Sequence, residues 1–237
     1  MTTSIPVHVV RVFTTDAGEL GNELGIVVAD GSTAGREQEI AARLGFSETV
    51  FVGAVASVGE SRVASLRIFT PAVELPFAGH PTVGTAWWLR ERGESIDALA
   101  VPAGEVAVRI EGGAAWATGR ASWAPSFTWH AEASVDEVVA ADPMNYTEGQ
   151  HYLYASIDER RGLIRSRMFA PRMGIAEDEA TGSAAIALAS LLGRDLDIVQ
   201  GRGSRILTRY LGADLVEVGG AVVADPDRVV ELGDVDG

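Results

Sequence analysis

Four residues of this chain have the types and placement for acid–base chemistry on a small acid: Glu48, His80, Asp178 and Ser183. Glu48 opens an apolar run, Thr49-Val50-Phe51-Val52, directly after Phe46-Ser47. Burial disfavours the charged form of a carboxyl, which moves its pKa towards neutrality and suits it to take and return a proton. The plainer reading of Glu48 is a solvated strand end. His80 lies between Gly79 and Pro81, and it reads either as a reactive imidazole or as a capping or core histidine. Asp178 precedes a glycine-led helix start, where a carboxylate is favoured by the helix dipole whether or not it reacts. Ser183 can cap that helix, bind an anion through its N–H and hydroxyl, or do both.

His80, Asp178 and Ser183 sit on a device that the chain contains twice. Arg67-Ile68-Phe69-Thr70-Pro71 is echoed one hundred positions later by Arg167-Met168-Phe169-Ala170-Pro171. Each copy runs through an acidic loop to a glycine, as Glu74-Leu75-Pro76-Phe77-Ala78-Gly79-His80 and Glu177-Asp178-Glu179-Ala180-Thr181-Gly182-Ser183. An apolar stretch follows each glycine. The pattern reads as strand, tight loop and helix N-terminus, twice. Helix N-termini offer unpaired N–H groups and partial positive charge, so two of them facing across a cleft would suit a small anion.

The two helices are expected at residues 81–92 and 183–193. Pro81 suits a first helical turn, where its missing N–H costs nothing. Thr181, Gly182 and Ser183 are all plausible caps. The run Ala184-Ala185-Ile186-Ala187-Leu188-Ala189 is apolar on every face, and Val83-Gly84-Thr85-Ala86-Trp87-Trp88-Leu89 is so apart from one threonine. Helices without a polar face belong inside a sheet, and these are too short to cross a membrane.

Composition sets the outer bounds. The chain has 237 residues, 47% of them hydrophobic, enough for a proper core. The repeat favours two halves, with boundaries at 1–125 and 126–237. A net charge of −14, from 33 acidic and 19 basic residues, argues against a nucleic-acid partner. No segment has the pattern of a secretory leader or a membrane span. There are no cysteines, which excludes disulfides, thiolate metal sites and thiol bases. A cytoplasmic location with no membrane partner is the expectation.

Along the chain, residues 7–13 and 24–29 read as strands, 36–44 as a helix ending at Gly45, and 48–52 and 63–69 as strands. Residues 105–110 and 114–118 form a hairpin about Gly112-Gly113. Residues 121–129 are the candidate linker. Residues 134–140 read as a short helix capped by Ser134. Residues 152–157 and 163–169 are strands, and after the second central helix come strands at 205–211, 215–218 and 221–223. The order implies an α+β protein with mostly antiparallel sheets.

Several standard chemistries are absent from the pattern. There is no GxSxG elbow, Walker loop or dinucleotide GxGxxG. The histidines, His8, His80, His130 and His151, show no metal-binding spacing, so no metal site is expected. Gln200-Gly201-Arg202-Gly203-Ser204 reads as a turn, with phosphate binding as the alternative.

Taken together, three segments resemble one known family. Leu75-Pro76-Phe77-Ala78-Gly79-His80-Pro81-Thr82 and Glu177-Asp178-Glu179-Ala180-Thr181-Gly182-Ser183-Ala184 are similar to the two signature segments of the PhzF-like, phenazine-biosynthesis-type isomerases. Leu44-Gly45-Phe46-Ser47-Glu48-Thr49-Val50-Phe51-Val52 resembles the segment that carries that family's catalytic glutamate. Val12-Phe13-Thr14 and Gly21-Asn22 resemble its opening.

The resemblance implies a diaminopimelate-epimerase-like fold, in which two similar halves each wrap a sheet around a central helix. It implies a homodimer, a small anionic substrate and no cofactor. Glu48 matches the glutamate that shuttles a proton, and His80 and Asp178 join it as catalytic candidates. Ser47, Gly79, His80, Gly182 and Ser183 are the implied substrate contacts. Amino-acid racemases of the same fold place a cysteine at each helix start, and that route is closed to a chain without cysteine. In the founding reaction, dihydro-3-hydroxyanthranilate loses a proton at C3 and regains one at C1. The implied activity is therefore a proton shift in a small unsaturated carboxylic acid. A non-catalytic anion binder, and a lyase or tautomerase on another acid, are the alternatives. The chain departs from the family at Glu23 and Glu179, where proline is usual. Carboxylates there would repel an acidic substrate if they pointed inward. The second half also reads as shortened.

Overall fold

The computed structural model describes residues 2–171 and 174–233, so the outermost residues of the two expected halves, 1 and 234–237, lie outside the described residues. The chain forms two compact units. The first comprises residues up to Val12, Glu23–Ala117 and the chain from Val222 onward, and the second comprises Phe13–Asn22 and Thr118–Ala221. Sequence reading expected a single change of unit at 125/126. The chain instead crosses several times, because its first and last strands are long enough to belong to both.

The first unit is built from β1 (Thr3–Thr14), β2 (Asn22–Val28), α1 (Glu37–Leu44), β3 (Glu48–Val58), β4 (Ser61–Phe69), β5 (Glu74–Leu75), α2 (Gly79–Glu91), β6 (Ala98–Val101), β7 (Gly104–Glu111) and β8 (Ala114–Arg120). Strand β3 runs parallel to β2 and antiparallel to β4; β4 is antiparallel to the short β5 and parallel to β6; β6, β7 and β8 follow as antiparallel neighbours. The parallel step from β4 to β6 needs a crossover, and α2 supplies it. The β7–β8 turn falls at Gly112 and Gly113, both at positive φ of 61° and 80°, as a two-residue hairpin requires.

The second unit repeats this plan with β9 (Thr128–Ala131), α3 (Val135–Ala140), β10 (His151–Asp158), β11 (Leu163–Ala170), β12 (Ile175–Asp178), α4 (Gly182–Leu192), β13 (Leu196–Gln200), β14 (Ser204–Gly212) and β15 (Leu215–Leu232). Strand β10 is parallel to β9 and antiparallel to β11; β11 is antiparallel to β12 and parallel to β13; β13, β14 and β15 are antiparallel. The sequence echo is thus a duplicated topology. The repeated arginines explain its conservation of form within the chain. Arg67 pairs with Glu74 across β4–β5, and Arg167 pairs with Glu177 across β11–β12, each through two guanidinium nitrogens. Each guanidinium also stacks on the phenylalanine two residues on, 4.8 Å above Phe69 and 4.7 Å above Phe169.

Both central helices start within two residues of expectation. Helix α2 is buried through its first two turns, and close packing against β1 and β2 leaves no room at Gly84. A β-carbon there would lie 2.7 Å from both Leu24 Cδ2 and Val12 Cγ2. Helix α4 buries Ala184, Ala185, Ile186, Leu188 and Ala189 and ends at Gly193 in the left-handed conformation. It is not buried all round, because Leu191 in its last turn is 59% exposed. The apolar pattern of the sequence holds no sign of where the enclosing sheet stops.

Two further expectations change. Residues 121–129 are not a plain linker: a 3₁₀ turn at Ala121–Trp123 leads into β9. The strand expected at 221–223 is the middle of the 18-residue β15. Ser134 caps α3 by accepting from Glu137 N, as expected.

Candidate active site

In the first unit the register of β3 sets the site. Glu48 is its first residue, opposite Leu24 of β2, and the next residue Thr49 faces Phe69. This brings the Glu48 side chain to the start of α2. Its Oε2 lies 3.5 Å from Nε2 of His80. That is an ion-pair distance and slightly long for a hydrogen bond. The Glu48 side chain keeps 19% of its surface at the solvent boundary, but Oε2 itself is sealed and accepts no hydrogen bond from the described residues. Burial therefore raises the Glu48 pKa above the usual carboxylate range, and a hydrogen bond from Ser47 offsets this only in part. His80 is buried. The loop ahead of it is pinned by the Thr82 hydroxyl, which donates to the Gly79 and Ala78 carbonyls at 2.8 and 3.1 Å.

In the second unit Asp178 ends β12, and its carboxylate accepts from Asn22 and Thr181. Asn22 Nδ2 donates to Oδ1 at 2.7 Å, and the Thr181 hydroxyl donates to Oδ2 at 2.5 Å. Thr181 occupies the N-cap position of α4, yet its side chain makes no cap hydrogen bond. The hydroxyl is spent on Asp178 instead. Helix α2 also lacks a side-chain cap, its N-cap residue being Ala78. At neither helix start does the side chain of the N-cap residue take up one of the first N–H groups.

The duplication exposes an asymmetry. Thr49 faces Phe69 in the first unit as His151 faces Phe169 in the second. Gln150, which precedes His151, therefore takes the place that Glu48 has before Thr49. Likewise Ser183 follows Gly182 as His80 follows Gly79. The carboxyl–imidazole pair of the first unit has an amide and a hydroxyl as its counterparts. Only the first of the two repeats carries a carboxyl–imidazole pair at this place.

The two departures from the family pattern are accounted for within the chain. The Glu179 carboxylate accepts from Arg202 N at 3.0 Å, from Arg202 Nε at 3.1 Å and from Ser204 Oγ at 2.7 Å. The turn after β13, read as a turn or a phosphate loop, is a turn that holds the chain's own carboxylate. Glu23 meets Arg228 at 3.1 Å. Sequence reasoning did not assign Asn22 or Gln200 to the site. Asn22 lies 156 positions from Asp178, and nothing local signals the contact.

Comparison with known proteins fits this arrangement. Residues 10–152 and 145–210 match the family described as phenazine biosynthesis-like protein. The trans-2,3-dihydro-3-hydroxyanthranilate isomerase of Pseudomonas aeruginosa is 30% identical over 253 residues, covering 84% of this chain and 90% of that protein. The crystal structure of a PhzF-family phenazine biosynthesis protein from Bacillus anthracis has the same fold, with a TM-score of 0.71 at 21% identity over 96% of this chain and 99% of that one. A hydroxyproline epimerase from Agrobacterium vitis shares it more distantly, with a TM-score of 0.63 at 11% identity over 98% of this chain and 94% of that one. The duplicated α+β topology is the diaminopimelate-epimerase-like fold, and the chain belongs to the phenazine biosynthesis-like, or PhzF, family as an isomerase.

Proposed function

We propose that this isomerase moves a proton within a small unsaturated carboxylic acid, without a cofactor, and that Glu48 removes and returns that proton. The observation that carries the reading is the sealed Oε2 of Glu48, 3.5 Å from His80 Nε2, in a carboxyl whose pKa burial raises. A glutamate in the ordinary range is ionised at neutral pH and returns a proton poorly. Raising its pKa makes the protonated form less costly, which favours one group acting as base and then as acid.

The steps balance without an external reagent. Ionised Glu48 takes a proton from an sp³ carbon conjugated to the substrate's unsaturation, and the electron pair moves into the π system. The neutral acid then delivers the proton to the far carbon of that system. With trans-2,3-dihydro-3-hydroxyanthranilate the proton leaves C3 and returns at C1, and the resulting enol tautomerises to a ketone. One base suffices, consistent with Gln150 at the equivalent place in the second repeat. The two-thiol racemase route is closed, since the chain has no cysteine.

The remaining roles follow from chemical type. His80 assists Glu48 in the first unit, and Asp178 of the second is a further catalytic candidate that engages a polar group of the substrate. The N–H groups at Gly79 and His80 with the Ser47 hydroxyl in the first unit, and those at Gly182 and Ser183 with the Ser183 hydroxyl in the second, are each proposed as substrate contacts. The protein acts as a homodimer, which a solution mass twice that of the chain would support and a monomer mass would refute.

Proton NMR in D₂O with trans-2,3-dihydro-3-hydroxyanthranilate, run beside Glu48→Gln, tests the reading. Product formation or C–H to C–D exchange is expected in the unsubstituted protein. It should fall by about 10²- to 10⁴-fold in the variant, the usual range for a lost general acid/base. Full activity in a folded Glu48→Gln protein would refute the mechanism. Absence of both turnover and exchange in the unsubstituted protein would refute this substrate.

A further inference from the structure

Gln200, the last residue of β13, is fully buried, and every hydrogen-bonding position of its amide that the site uses has one assignment. Its Nε2 donates to the Asp178 carbonyl at 3.0 Å and to Thr181 Oγ1 at 2.8 Å. A carbonyl oxygen only accepts, so the amide nitrogen must face that way and Oε1 must face Tyr152, whose hydroxyl lies 3.0 Å away. The Tyr152 hydroxyl is also 2.9 Å from Ser166 Oγ. Tyr152 has one hydroxyl proton and gives it to Gln200, so Ser166 completes that contact from its side. All four polar side chains, Ser166, Tyr152, Gln200 and Thr181, are buried.

The order of donors has a consequence at Thr181. Its oxygen accepts from Gln200, so its single proton is directed to Asp178 Oδ2 at 2.5 Å. A threonine hydroxyl with no such partner could turn to cap α4 instead, the ordinary use of its position. We infer that Gln200 is a positioning residue for Asp178, acting through Thr181: it turns the Thr181 hydroxyl away from the helix cap and onto the carboxylate. Asn22 fixes the other carboxylate oxygen independently. The inference rests on the proposed role of Asp178 in holding substrate.

The test uses Gln200→Met, which keeps the length and removes the donors, together with Thr181→Val, the double variant, and Thr181→Ser. The first readout is the ¹³Cγ resonance of Asp178 in protein labelled at aspartate, followed against pH. Loss of the Thr181 donor should move the midpoint of the Asp178 titration upward. Gln200→Met and Thr181→Val should each do so, the double variant should match the larger single effect, and Thr181→Ser should restore the unsubstituted curve. The second readout is turnover of the dihydro-hydroxyanthranilate, where kcat should fall roughly 10- to 100-fold, as for a misplaced positioning group, and recover with Thr181→Ser.

An Asp178 curve unchanged in both single variants would overturn the inference, and additive effects would overturn the route through Thr181. A shifted curve with undiminished turnover would overturn the role of Gln200 in the reaction. If Gln200→Met does not fold, Thr181→Val against Thr181→Ser still decides whether the hydroxyl holds Asp178. If the unsubstituted protein turns nothing over, the proposed activity fails, while the carbon resonance still decides the relay.

Discussion

Glu48 Oε2 and His80 Nε2 stand 3.5 Å apart, the carboxyl at the first residue of a strand and the imidazole in the first turn of a buried helix. Neither group depends on a long loop for its place. The strand is pinned by pairing on both sides, and the helix by tight packing at Gly84. Groups set on rigid elements keep their distance to one another, which is what the proposed proton transfer by Glu48 requires.

The first prediction concerns pH and activity. If Glu48 is the base, the free enzyme must hold it ionised, so kcat/KM should rise with pH as Glu48 loses its proton. Burial places that loss above the ordinary glutamate value of 4.5. The acidic limb of a kcat/KM profile should therefore have its midpoint above 4.5. A limb at or below that value would mean another group limits the reaction.

A second prediction concerns stability. Because the folded state raises the Glu48 pKa, it holds this proton more tightly than the unfolded chain does. Stability then falls as pH rises from about 4.5 through the raised value, and the loss is complete above it. Glu48→Gln carries no charge and escapes this loss. The variant should gain stability relative to the unsubstituted protein across that window, by about 1.4 kcal/mol for each tenfold change in proton affinity. Urea unfolding at pH 4.5 and at pH 8 measures it; a difference between the two proteins that is the same at both pH values would contradict the burial argument.

How much of this was legible beforehand depended on how local each cause is. The central helices were readable because Pro81 and the Thr181-Gly182-Ser183 caps mark their starts and apolar runs fill them, and Glu48 because a carboxyl opens an apolar run. The echo of Arg67 in Arg167 was readable as a repeat, though not its reason, since each ion pair needs the strand pairing that brings Glu74 or Glu177 opposite. The long β15 was missed because Gly219-Gly220 and Asp225-Pro226 break its pattern. It is held there by remote partners, with Asp225 on Arg11 and Glu231 on Ser4. The support of Asp178 was invisible for the same reason, because its donors come from residues 22 and 181 and the relay behind them from residue 200.

The duplicated arginines should not be equivalent. The Arg67 side chain is 48% exposed, and its partners Glu74 and Glu37 are 33% and 15% exposed. Arg167 is 13% exposed and adds hydrogen bonds to the carbonyls of Val139 and Ala141, at 3.1 and 2.6 Å, closing the end of α3. Arg67→Met should cost no more than about 1 kcal/mol, as for exposed pairs. Arg167→Met leaves Glu177 and those carbonyls without their donor and should cost about 3 kcal/mol. Denaturant midpoints of the two variants measure the contrast, and equal losses would show that the carbonyl contacts contribute nothing.

The last prediction is a loss of stability in mild acid that does not involve Glu48. His130 Nε2 and His151 Nδ1 share one hydrogen bond at 3.1 Å, beside the ring of Tyr146. Burial, and then the neighbouring His151, lower the His130 pKa below 6.5, while Glu132 pulls weakly the other way. The unfolded chain therefore takes up a proton at His130 before the folded one does. Stability contributed by the neutral imidazole is complete above pH 6.5 and is lost as pH falls through the lowered value. Thermal midpoints recorded from pH 8 to pH 5 should decline below 6.5 in the unsubstituted protein and decline less in His130→Phe, which keeps an aromatic ring against Tyr146 but cannot titrate. Parallel curves for the two proteins would place the acid sensitivity elsewhere.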